Sequence, residues 1–159
     1  SLQGLVSESA KSQALRRRFE MKFKNSAVEM LDQHMQWRKG AGSRESLLSA
    51  YQKVPELFVC NTRSLAHDGS SVVFLQGALY DLASATQEQH ALAICHVLDM
   101  ALGDNSDRQL TVLLDTRPGQ GWPNPPALKL LPFMRRTARI FSNNYPGRLK
   151  RLVVYPVPW

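Results

Sequence analysis

The chain has 159 residues, 43% of them apolar, which suits one folded domain with a single core and excludes a disordered tail. No run approaches the roughly 18 apolar residues a membrane span needs, and two cysteines without CxxC spacing exclude a disulfide scaffold or a zinc ribbon. Twenty Lys/Arg against thirteen Asp/Glu give +7, and residues 116–159 hold eight of the basic residues and no acidic one, so the C-terminal third attracts polyanions.

Along the chain, residues 8–24 read as a basic amphipathic helix around Leu15, Phe19 and Phe23. A second helix from Ser26 aligns Ala27, Val28, Leu31 and Met35 and stops near Gly40 and Gly42, and residues 43–53 make a third, before Pro55. The first convincing strand is Val72-Val73-Phe74-Leu75, launched by the turn His67-Asp68-Gly69. Thr86 and Gln89 have capping-box spacing ahead of the apolar helix through Ile94, Leu98 and Ala101, with Gly103 as its stop. Its near-uniform apolarity predicts burial on more than one side.

Leu110–Asp115 reads as a central strand of a parallel sheet. After a Pro/Gly-rich loop, Leu130, Phe133, Met134, Ala138 and Phe141 recur at helical spacing, with Pro132 either kinking that helix or marking its start. Leu152–Tyr155 makes a further strand. The alternation predicts an α/β fold, a sheet with crossover helices, behind a helical lead-in over residues 1–53, the α/β part being 54–159.

Sharp chemical motifs fail on inspection. Gly119-x-Gly121 lacks the third glycine of a dinucleotide fingerprint, Asn124 standing in its place. Asp115 has no phosphate loop to accompany it and reads as a turn residue. His90, Cys95 and His96 do not share a helix face with an acidic ligand, and no GxSxG or HExxH occurs. No catalytic residue, metal or cofactor is therefore expected.

Ordered through the chain, Trp37-Arg38-Lys39, His67-Asp68-Gly69, Val112-Leu113-Leu114-Asp115, Tyr145-Pro146-Gly147-Arg148-Leu149 and the close Pro158-Trp159 resemble the CRAL-TRIO lipid-binding domain family. The resemblance covers that family's N-terminal and central portion, its gate helix and last strand falling beyond Trp159. It implies a mixed, largely parallel sheet behind a small helical subdomain, enclosing an apolar cavity for a hydrophobic lipid, of the phospholipid, phosphoinositide or isoprenoid type, that is carried or presented unchanged. Val73, Val112, Leu114 and Val153 are the expected pocket wall.

Lys129, Arg135, Arg136, Arg139, Arg148, Lys150 and Arg151 form the expected surface for an anionic headgroup or membrane, against the plainer reading of a solubilising face. Nucleic acid is not the expected partner, because Phe133 and Phe141 fall on the packing side of their helix rather than among the charges. The alternative function is an interaction module of the same architecture without lipid cargo, recruiting an acidic protein. A cytoplasmic location, peripheral contact with membranes and a homodimer complete the expectations, and the absence of an initiator methionine suggests a start inside a longer protein.

Overall fold

The computed structural model describes residues 2–103, 107–118 and 127–156, with backbone alone for 2–10 and 127–129. In chain order the elements are α1 (Leu2–Phe23), α2 (Ala27–Lys39), α3 (Arg44–Tyr51), β1 (Val59–Leu65), β2 (Ser71–Gln76), α4 (Gln87–Leu102), β3 (Leu110–Asp115), α5 (Ala127–Asn144) and β4 (Leu149–Tyr155). The strands form one sheet in the order β1-β2-β3-β4, with β1 antiparallel to β2 and the remaining pairs parallel. The crossover helices and the helical lead-in are what the pattern of elements implies, and the mixed, largely parallel sheet is what the family resemblance implies. Pro132 lies inside α5 rather than at its start.

Helix α4 is the hub of the core. Thr86 accepts from the Gln89 amide at 3.2 Å and Gln89 returns a bond to the Thr86 amide at 2.8 Å, so the capping box sets its first turn. The helix packs between α3 on one side and β1 and β2 on the other, with α5 alongside. That enclosure is why residues from His90 through Leu102 are almost all buried. His90 is wholly buried among Phe58, Tyr80 and Phe133, its Nδ1 2.8 Å from the Thr86 carbonyl and its Nε2 accepting from the Asp81 amide at 3.4 Å. Cys95 sits under Tyr145 with its thiol pushed up to about 12 by burial, while the His96 ring lies tilted against Tyr51 of α3, centroids 5.1 Å apart. The two histidines and the cysteine thus serve three different surfaces.

Strand β1 has no counterpart in the sequence reading. Of its seven residues only Val59 is buried, and the polar run Asn61-Thr62-Arg63-Ser64 carries a register irregularity with Arg63 at φ 57°. An edge strand held by its backbone ladder, with one face open, needs no apolar alternation. The turn into β2 behaves as expected: Asp68 accepts from the Ser70 amide at 3.1 Å and its hydroxyl at 2.7 Å, with Gly69 at φ 79°.

The helical lead-in is fastened to the α/β part by a polar junction. Arg38, in the last turn of α2, donates twice to the Asp99 carboxylate of α4, at 2.6 and 3.0 Å. The Tyr145 hydroxyl donates to the same carboxylate at 2.9 Å, and the Arg38 guanidinium lies over the rings of Trp37 and Tyr145 at 4.8 and 5.4 Å. Burial works against the Arg38 charge, but the bonds from Asp99 and the proximity of Tyr145 outweigh it and hold the guanidinium above its ordinary value. Beside this group the buried His34 pairs through Nδ1 with Asn144 Oδ1 at 3.0 Å. Gly42 lets the chain turn back against Trp37, since a Cβ there would stand 2.4 Å from the indole ring.

Two outcomes follow from this packing. Burial holds His34, His90 and His96 below the ordinary imidazole value of about 6.5, so the unfolded chain takes up protons that the folded form refuses. Stability then rises with pH through that window, and the urea midpoint is expected to fall as pH drops from about 7.5 to about 5; a flat profile would contradict it. Asp99→Asn leaves Arg38 without its charge partner. Breaking a fully buried pair costs about 3–5 kcal/mol, and partial exposure of both side chains reduces the expected loss to about 1–3 kcal/mol, read by urea denaturation. A change below about 0.5 kcal/mol would mean that solvent replaces the pair.

Candidate functional site

Because side chains alternate along a strand, the β2–β3 register sets Val73 beside Val112 and Leu75 beside Leu114 on one sheet face, and Phe74 beside Leu113 on the other. Helices α4 and α5 lie over the first face. Between them and the sheet opens a cleft of about 520 Å³. Its floor is Leu75, Val112, Leu114, Leu149 and Leu152; Ile94 and Leu98 of α4 close one side; Phe133, Met134, Thr137, Ala138 and Phe141 of α5 form the roof. The roof residues recur three and four apart, so one stripe of α5 faces the floor while Arg135, Arg136 and Arg139 stay outside.

The polar groups of this cleft are few. The Thr137 hydroxyl is buried in the roof and has no hydrogen-bond partner among the described residues. At the rim the exposed Lys22 reaches from α1 to the last turns of α5, where its Nζ donates to the Ser142 carbonyl at 3.0 Å and hydroxyl at 3.1 Å. Among the described residues no group of three or more His, Cys, Asp or Glu side chains is placed to hold a metal. Asp115, at the end of β3, accepts from the Arg117 amide at 2.9 Å and pairs with its guanidinium at 2.6 Å. Those bonds hold the carboxyl below its ordinary value and occupy it locally.

The four residues expected to form one wall are divided by the structure. Val112 and Leu114 line the cleft. Val73 is on the same face but wholly buried where β2 runs beneath α4, outside the lining. Val153 is corrected to the opposite face, where it is 39% exposed. The cause is an irregularity between β3 and β4: Leu110 pairs with Leu149, but Thr111 pairs with Arg151, so Lys150 is an extra residue. One added residue reverses the parity, and Leu152 rather than Val153 meets the floor beside Val112. The stripe of Phe133, Met134, Ala138 and Phe141 is legible in the helical spacing, but spacing does not say that it faces a cleft. Lys22 and Thr137 carried no signal, since a lysine on a basic helix and a threonine among apolar residues are both ordinary.

The opposite sheet face carries a row of Cys60, Phe74, Leu113 and Val153 across all four strands, none of them fully buried, and no described helix lies over it.

Of the seven basic residues, the six whose side chains are described do not make one surface. Arg135 and Arg139 are exposed one turn apart on α5, and Arg136 is paired with Glu88 at 2.7 Å. Arg151 bonds Asp68 at 3.3 Å from the other sheet face, next to the exposed Lys150. Arg148 turns inward: it donates to the Arg108 carbonyl at 2.7 Å and lines a polar hollow with Arg18, His34, Arg38 and Asp99. Burial, with repulsion from Arg18, lowers its guanidinium to about 10. The side chain of Lys129, together with Gly119, Gly121, Asn124, Pro158 and Trp159, lies outside the described residues.

An α/β sheet with both crossover helices on one face, and an apolar cleft beneath the second of them, has the build of a binding domain. The chain belongs to the CRAL/TRIO domain family, which matches residues 60–159, from β1 onward. Domains of this family bind lipids and in general are not catalytic. No curated protein matches the chain. Among the described residues no helix is long and apolar enough to cross a membrane.

Proposed function

We propose that this chain binds a hydrophobic lipid in the cleft under α5, and carries or presents it at a membrane surface without altering it chemically. The observation that carries this reading is the cleft itself: a space of about 520 Å³ whose floor is entirely aliphatic and whose roof is a helix stripe of aromatic and aliphatic side chains. Burial is worth roughly 0.8 kcal/mol per methylene, so an acyl or isoprenoid chain leaves a bilayer only for an enclosure as apolar as this one. Val112 and Leu114 are the wall residues this reading retains, and Val73 supports them from beneath α4.

Arg135 and Arg139, exposed on the outer side of the same helix, would bring the roof of the cleft against anionic lipid, each contributing up to ~1 kcal/mol. The partly exposed row through Phe74 and Val153, which no described helix covers, is the observation that favours a second reading, an interaction module that docks a protein through the outer sheet face.

Native mass spectrometry with organic extraction separates the two. The purified chain is expected to retain lipid; Leu114→Glu is expected to lose it with the fold intact by circular dichroism, while Val153→Glu keeps it. Lipid surviving Leu114→Glu would remove the cleft from the proposal, and an empty wild-type protein would favour the interaction module. For membrane contact, Arg135→Ala with Arg139→Ala is expected to reduce co-sedimentation with phosphatidylserine vesicles about tenfold at low salt. Unchanged sedimentation would leave these arginines as a solubilising face.

A further inference from the structure

The cleft under α5 is lined by apolar side chains with, among the described residues, one charged group at its rim, and that group comes from a different part of the molecule. Lys22 sits near the end of α1, in the helical lead-in, and crosses to α5. Its bond to the Ser142 carbonyl satisfies an acceptor in the last turns of α5, and this fixes the ammonium at the opening rather than letting it sweep through solvent. Both oxygens it bonds are neutral. No carboxylate lies within ion-pair distance of Lys22 among the described residues, although Arg16, Arg18, Arg38, Arg117, Arg136 and Arg151 each have one. Beside the ammonium the Ser142 hydroxyl offers a second donor, its hydrogen free to turn toward an acceptor.

An apolar space with one positive charge and one hydroxyl at its mouth is complementary to an amphiphile with the opposite layout: an apolar chain ending in a small anion. The volume bears on the number of chains. About 520 Å³ lies in the lower half of the roughly 300–1,000 Å³ usual for small-molecule sites, which suits a single chain better than two.

Building on the lipid-binding reading, we infer that the cleft selects a single-chain lipid acid, its carboxylate bonded by Lys22 and Ser142 at the rim and its chain running beneath α5 past Phe141, Ala138 and Met134. Lys22 is then the residue that decides the headgroup. The apolar walls supply affinity without regard to the head, whereas a charge-assisted bond distinguishes a carboxylate from a neutral hydroxyl on the same chain. The helical lead-in thereby contributes directly to ligand choice, and does so through a residue outside the region that matches the family.

The test is displacement of an uncharged apolar dye, N-phenyl-1-naphthylamine, from the full chain by hexadecanoic acid, by hexadecan-1-ol and by dipalmitoyl phosphatidic acid. The acid is expected to compete at about tenfold lower concentration than the alcohol, the scale of one charge-assisted hydrogen bond. Lys22→Met is expected to weaken the acid about tenfold and leave the alcohol unchanged, and Lys22→Arg to keep most of the preference. Equal competition by acid and alcohol in the wild-type chain, or equal weakening of both in Lys22→Met, overturns the headgroup assignment while the lipid reading stands. Phosphatidic acid competing better than hexadecanoic acid overturns the single chain. Failure of all three to displace the dye overturns the lipid reading and this inference together. Lys22 is exposed and outside the core, and equal urea midpoints for the variants establish that they are folded.

Discussion

The Asp99 carboxylate is the point on which the two parts of this molecule are joined. It receives two bonds from Arg38 of the helical lead-in and one from Tyr145, at the junction of α5 and β4. A carboxylate placed among the apolar side chains of the C-terminal half of α4 would be costly by itself, and three charge-assisted bonds make it a fixed anchor. Around it gather the end of α2, where Trp37 packs closely against Gly42, and the end of α5, whose Asn144 is tied to His34. The Trp-Arg-Lys and Tyr-Pro segments that looked like separate family marks are the two ends of this one contact.

The cleft depends on that anchoring indirectly. Helix α5 is held at its C-terminal end by Tyr145 and Asn144, and it packs on α4 through Phe133 of the aromatic cluster. Between those holdings its apolar stripe faces β3 and β4 without filling the space in between. The sheet supplies aliphatic residues to the floor, and the extra residue in β4 lets Leu149 and Leu152 both line it. An apolar cleft so poor in hydrogen-bonding groups favours ligands by area and shape, leaving discrimination to the rim.

Much of the architecture was legible because its signals are local. A capping box, an apolar strand ending on Asp, an Asp-Gly turn and a helical stripe are each settled within a few residues of sequence, and each appears where expected. Strand β1 was not, since an edge strand is held by backbone pairing to β2 that leaves little trace in side-chain pattern. The basic residues show a different limit. Sequence counts charges, but only the fold turned Arg148 inward, paired Arg136 with Glu88 and put Arg151 on the other side of the sheet.

Sequence alone therefore determined the order and type of nearly every element, the family, and the fact that the C-terminal third is basic and that β2 and β3 are apolar. Tertiary structure decided which apolar residues face one another. Parity along a strand turns on single residues: the added Lys150 exchanges Val153 for Leu152, and no periodicity in the chain announces it. It also decided that Lys22, more than a hundred residues from Ser142, meets it at the rim of the cleft. Local preferences are written in neighbouring side chains, whereas contacts between distant segments exist only once the whole core has fixed where each backbone lies.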